Sequence, residues 1–140
     1  MAHWILGHKI DAQSVTGDYD MITGDTPAHT PGPPPHQHHK FHEVFLVTEG
    51  EMEFLVNGSP VLVQKGESIN LPPDTIHTFS NNSDQSCKWV NVHSPKGFLK
   101  FFEDFGVSDT EENAATQSTN PAIIEKVLQT AADYDMVISM

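Results

Sequence analysis

From His42 onward the chain runs in short segments rich in Val, Ile, Phe and Thr: HEVFLVTE, EMEFLVNG, PVLVQ, ESINL, TIHTFS and CKWVNVHS. Such residues fit a pleated, half-buried surface. Gly50, Asn57-Gly58, Gly66, Pro72-Pro73 and Asn81-Asn82 separate the segments. The pattern predicts an all-β row of strands and tight turns, of the kind that closes into a sandwich or barrel. Asn57-Gly58 suits a two-residue hairpin, because both positions tolerate the positive φ that matches strand twist. Ahead of these strands PAHTPGPPP, residues 27–35, holds five of the ten prolines. Proline cannot donate to a ladder, so this reads as a stiff surface loop that delivers the chain to HQHHKFHE.

The period changes after Pro95. Phe98, Leu99, Phe101, Phe102 and Phe105 recur at helical spacing, and Gly106 ends the pattern. Residues 107–119, VSDTEENAATQST, are polar, acidic and almost free of large apolar side chains, which reads as a loop or flexible link. Asn120 and Pro121 make a helix cap and first helical residue for an apolar stripe of Ile123, Ile124, Val127, Leu128 and Ala131 that ends near Tyr134. Both stripes are expected to pack on the barrel or on a partner subunit rather than to hold a cofactor. The expected organisation is a β-barrel over residues 1–95, including N-terminal strands, followed by a helical extension over 96–140.

Composition narrows the function. The 140 residues suit one domain, and no apolar run approaches the roughly 20 residues that span a bilayer. The opening MAHWILGHKID lacks the pattern of a secretory signal, so a cytoplasmic protein with no membrane partner is expected. A single cysteine, Cys87, rules out an internal disulfide and a cysteine-based zinc site. A formal net charge of -12 argues against nucleic acid. All seven basic residues are lysines, so the forked guanidinium that clamps carboxylates and phosphates is missing.

Candidate chemistry lies in the histidines. Of nine, His36, His38, His39 and His42 crowd together beside Glu43. In an extended segment His36 and His38 point the same way and can reach one ion. Glu43 has the opposite parity and joins them only if the register changes near residues 39–41; otherwise His42 is the rival third ligand. A histidine-rich surface loop that binds nickel or zinc adventitiously has the same local pattern. Downstream, the segment 66–81 carries His77 on a strand after a Pro72-Pro73-Asp74 turn, where it can complete a site.

These two segments resemble the conserved motifs of the cupin superfamily. The first reads His, any residue, His, three or four residues, Glu, six residues, Gly, and is met by His36, His38, Glu43 and Gly50. Thr30 stands where its leading glycine is expected. The second reads Gly, five residues, Pro, any residue, Gly, two residues, His, three residues, Asn, and is met by Gly66, Pro72, His77 and Asn81, with Asp74 replacing the inner glycine. Both departures fall on turn positions, where aspartate is well tolerated. The match covers roughly residues 32–95. It implies a double-stranded β-helix, a jelly-roll barrel, with His36, His38, Glu43 and His77 around one divalent ion: iron, manganese, nickel, copper or zinc. His39 and His42 then become surface or supporting residues.

On WVNVHS, Trp89, Asn91 and His93 share one face and Val90 and Val92 the other, and one set faces the barrel interior. His93 is a candidate substrate contact or proton shuttle, against the commoner role of a hydrogen-bonded structural histidine. Phe45, Phe54, Phe79 and Trp89 are candidate walls for an apolar ligand, though core packing explains them equally well. The resemblance extends to quercetin dioxygenase-like proteins, which implies oxidation of a small enol, phenol or diketone with Glu43 as general base. A non-catalytic ligand-binding barrel with a structural metal, and a metal-dependent isomerase or hydrolase, are the alternatives. The lack of arginine counts against the superfamily's carboxylate and sugar-nucleotide enzymes. A homodimer is expected.

Overall fold

The computed structural model describes residues 2–139. Twelve strands, all paired antiparallel, form two sheets. Strands β1 (Ala2–Ile5), β2 (His8–Gln13), β3 (Asp20–Thr26), β5 (His42–Glu49), β8 (Ser68–Leu71), β10 (Cys87–Ser94) and β11 (Val107–Ser108) make one, ordered β11-β1-β2-β3-β10-β5-β8. The other contains β4 (His36–Gln37), β6 (Glu51–Val56), β7 (Ser59–Gln64), β9 (His77–Ser80) and β12 (Val137–Ile138), ordered β12-β4-β9-β6-β7. The expected strands are all present, and so is the hairpin: Asn57 and Gly58 take φ of 49° and 84° between β6 and β7.

Alternation decides what faces inward. Phe45 and Val47 of β5, Met52 and Phe54 of β6, and Trp89, Asn91 and His93 of β10 are buried, while Leu46, Glu53 and Lys88 are exposed. Phe45 anchors an aromatic cluster, its ring centroid 5.1 Å from Phe54, 5.2 Å from Phe79 and 5.3 Å from Trp89. The proline-rich approach packs closely: a Cβ on Gly32 would lie 1.6 Å from the Phe79 carbonyl oxygen, so only glycine lets this loop lie against β9.

The C-terminal part contains α1 (Leu99–Phe105), α2 (Ala114–Gln117) and α3 (Pro121–Thr130), with a 3₁₀ turn over Ala131–Tyr134. Helix α3 is capped as its sequence predicts, Asn120 Oδ1 accepting from the Ala122 amide at 2.8 Å. The expectation of a loop or flexible link over 107–119 is corrected. Strand β11 pairs with β1, and Asp109 accepts from Trp4 Nε1 at 2.8 Å and meets Lys9 Nζ at 3.3 Å. Buried Ser118 accepts from the Gly7 amide at 3.0 Å. A segment without large apolar side chains is thus held by its polar groups, which the N-terminal strands satisfy.

Candidate metal centre

The parity conflict between His38 and Glu43 is resolved by topology. His36 lies on β4 and His38 just beyond it, whereas Glu43 lies on β5 in the opposite sheet, and the bend over residues 39–41 carries the chain across. Both sheets then face their side chains into one interior. His77 enters from β9, directly opposite His36. His36, His38, Glu43 and His77 are all buried, and one ligand atom from each lies within 4.8 Å of the others. His42 is exposed, and so is His39, whose ring pairs with Asp74. Asp74 takes φ of 66°, a left-handed conformation that suits a turn position otherwise held by glycine.

Backbone carbonyls set the tautomers. Nδ1–H of His36 donates to Pro34 O at 2.9 Å, that of His38 to Asp135 O at 2.6 Å and that of His77 to Thr75 O at 2.9 Å. A carbonyl only accepts, so each Nδ1 carries the proton and each Nε2 keeps a lone pair. Glu43 Oε2 lies 3.2 Å from His38 Nε2 and 2.9 Å from His77 Nε2. These approaches are not aligned as hydrogen bonds: His38 Nε2 and Glu43 Oε2 are buried without a hydrogen-bond partner. Buried donor atoms left unpaired around one point, three imidazoles and a carboxylate, suit a divalent ion and leave coordination positions open.

Electrostatics agrees with that role. Burial, helped by neighbouring His77, pushes His36 down to about 4, so it is neutral at pH 7 and able to ligate. Burial would raise Glu43, but His93 and the surrounding ring nitrogens outweigh it and hold the carboxyl well below its ordinary range. For His77 burial acts downward, yet the Glu43 carboxylate wins and raises it. Burial pushes the Cys87 thiol up to about 11, which disfavours the thiolate form.

His36, His38 and Glu43 line a cavity of about 70 Å³. Phe45, Phe79, Trp89 and His93 line it, whereas Phe54 does not and fills the core with its ring against Phe45. His93 Nε2 lies 2.8 Å from Glu43 Oε1, and Asn91 Nδ2 donates to the same oxygen at 3.4 Å. Three groups escape a reading of the sequence. Helix α1 places Phe101 and Phe102 in the wall beside Phe98, the residue that precedes it, whose ring stacks on His93 at 4.6 Å. Asp135 supplies the carbonyl that His38 needs, and its carboxylate accepts from the His39 and Lys40 amides at 3.1 and 2.7 Å. His8, from β2, lines the cavity as well. Only the phenylalanine stripe carried a signal, and that signal could not say what the stripe would cover.

Fold and donor set together define a small antiparallel β-barrel with a buried histidine and carboxylate cluster that could hold a metal ion. The cupin domain model matches residues 24–93, half of the 140, and the chain belongs to that family. The HTH-type transcriptional regulator PuuR of Escherichia coli is 32% identical over 60 residues, 43% of this chain. The match takes in 32% of that protein, so the chain spans about a third of its curated relative's length. Among solved structures, an RmlC-like cupin from Shewanella frigidimarina has a TM-score of 0.61 at 21% identity, covering 69% of this chain and 84% of that one. Pac13 of Streptomyces, described as a unique nucleoside dehydratase, has a TM-score of 0.57 at 14% identity, covering 68% of this chain and 75% of its own. At such identities the likeness concerns the fold.

Proposed function

We propose that the protein is a metal-dependent enzyme of the quercetin dioxygenase-like type, acting on a small enol, phenol or diketone with molecular oxygen as co-substrate. The observation that carries this reading is the division of labour on Glu43: Oε2 faces His38 and His77, while Oε1 faces His93. His36, His38, Glu43 and His77 would hold one divalent ion, iron, manganese, nickel, copper or zinc. When bound, the ion supplies Lewis acidity that makes a substrate hydroxyl or α-carbon acidic. Glu43 then accepts the proton as general base, and His93 shares its charge across the 2.8 Å contact. Phe45, Phe79 and Trp89 hold the apolar body of the substrate, and Phe98 helps exclude water. Among the described residues no lysine or arginine lines the cavity, which favours neutral substrates over phosphates and carboxylates.

In this reading residues 1–95 are the barrel and 96–140 an extension that closes it. Exposed Leu55, Val61 and Leu62 on the β6–β7 hairpin support pairing with a second copy, which light scattering would detect. The test of activity is oxygen uptake by iron- or nickel-loaded protein with acetylacetone, catechol and a flavonol. Uptake lost in Glu43→Gln supports the reading. Turnover undiminished without oxygen would instead favour a metal-dependent isomerase, hydrolase or dehydratase, to which the same Glu43–His93 pair is suited. Binding without turnover would leave a ligand-binding barrel.

A further inference from the structure

Few side chains connect the cavity to the surface. Those that line it are buried, except Leu6, Pro33, Phe79 and Phe102, which are half-buried. Phe79 is held among the rings of Phe45, Phe54 and Trp89. Leu6 and Pro33 also line a second hollow, an outer groove of about 430 Å³ walled by Pro31, Pro34, Ile124, Val127 and Leu128. Residues that line both spaces form the partition between them. Among the described residues no charged side chain lines the groove, so the route it offers is apolar.

One side of the partition is fixed. Pro33 has a rigid ring, its carbonyl accepts from Thr78 Oγ1 at 2.5 Å, and neighbouring Gly32 lies against the Phe79 carbonyl. Leu6 forms the other side. It belongs to the two-residue turn between β1 and β2, flanked by the Ile5–His8 pair. Leu6 and Gly7 take φ of 49° and 88°, the signature of a type I′ hairpin turn. Asparagine is favoured at the first position of such a turn, and a leucine there is strained. The turn itself therefore gives no reason for leucine, whereas the partition does, because it needs an apolar plug. The Gly7 amide donates to Ser118 Oγ at 3.0 Å, which pins the turn backbone and leaves rotation of the Leu6 side chain as the smallest motion that opens a passage.

The geometry points to Leu6 as the gate of the ligand entrance: its side chain closes the gap beside Pro33, and neutral, largely apolar molecules pass from the groove along α3 to the metal centre when it turns aside. The groove's occupant is then the ligand in transit. This inference rests on the reading of the cavity as a ligand site.

A gate changes how fast a ligand enters and leaves without changing how tightly it is held, since it acts on the route alone. The probe is catechol, bound to iron(III)-loaded, full-length protein under nitrogen and followed by stopped-flow through its charge-transfer absorption. Iron grips both catechol oxygens whatever stands in place of Leu6, so the metal sets the affinity and the rates report the route. Leu6→Gly, which removes the side chain and suits φ of 49°, is expected to raise the association and dissociation rate constants together by about 10-fold, with Kd and metal content unchanged. Leu6→Trp is expected to lower both. Either variant alone decides the matter, since their effects are opposite in sign. Rates indifferent to Leu6, a changed Kd in place of changed rates, or faster exchange in Phe102→Ala alone, which would put the entrance at α1, each overturn the gate while leaving the cavity a ligand site. If the iron-loaded wild type binds no catechol, the ligand reading of the cavity fails and the gate with it.

Discussion

Glu43 and His93 stand directly opposite each other on antiparallel strands β5 and β10, and the carboxylate that meets His93 Nε2 at 2.8 Å with one oxygen meets His77 Nε2 at 2.9 Å with the other. Glu43 therefore touches both the donor cluster and a histidine outside it. His93→Gln is expected to keep its metal and to lose turnover by roughly 10²-fold or more, the usual scale of proton-transfer assistance. In metal-free protein His93→Leu removes a buried polar neighbour of the Glu43 carboxylate, and urea unfolding should show a loss of about 1–3 kcal/mol. Metal lost along with His93 would place that residue in the donor set instead.

Single alanine replacements of His36, His38, Glu43 and His77 are each expected to abolish near-stoichiometric metal in tag-free protein, read by mass spectrometry, while His42→Ala retains it. Exposed His42 has no access to the interior. Loss with His42→Ala and retention with His36→Ala would reverse the assignment.

The ring of His38 and the backbone amides of the two residues after it are held from far along the chain. Asp135 takes φ of 55° and its carboxylate accepts two amides, so Asp135→Gly keeps the backbone conformation while releasing residues 39 and 40. Metal affinity should weaken roughly 10-fold, the low end for lost outer support of a ligand. A competition titration with a chelator reads this directly, and an unchanged dissociation constant would contradict it.

Acid lability follows from the buried histidines. His8 falls from 6.5 to about 4 on folding, so between those pH values the unfolded chain binds a proton that the folded protein refuses. Stability is lost as pH falls through this window, by about 1.4 kcal/mol per pH unit for each such group. His36 behaves likewise in metal-free protein. The raised His77 contributes stability that is complete below 6.5 and is lost only as pH rises, so it does not offset this loss. Metal-free His8→Phe should show a slope shallower by one proton than the wild type in denaturant melts between pH 6.5 and 4; parallel slopes would count against a neutral buried His8. Histidine ligands must also be neutral, so bound metal should be released as pH falls through about 6 and below.

Gly32→Ala should unfold the protein or expel the metal. The added methyl would meet the Phe79 carbonyl in a contact that neither backbone can relieve, at the loop that leads into His36. Native thermal stability with full metal content in that variant would show that the loop can move away.

Strands and turns were legible because they are written in local periods: β5 to β10 follow the alternation of valine, isoleucine and phenylalanine, and Asn57-Gly58 names its turn type. The cluster of His36, His38, Glu43 and His77 was suggested by the resemblance to the cupin motifs, since parity alone left His42 as a rival to Glu43. Two details were not local. The parity of Glu43 made sense only once β4 and β5 proved to lie in different sheets. The polar run 107–119 looked unstructured because its partners, Trp4, Gly7 and Lys9, lie about a hundred residues away.

By itself, then, the chain's sequence determined the all-β class, the capped helix at Asn120 and the candidate ligands. Tertiary structure alone decided which face of β10 looks inward, that Phe54 packs while Phe79 lines the cavity, that phenylalanines of α1 and His8 line it too, and that Asp135 holds the ring of His38. The reason is physical. Backbone propensity and side-chain period act over a few residues, whereas the His38 to Asp135 hydrogen bond joins positions 97 apart, and the pairing of such groups exists only after the sheets have closed.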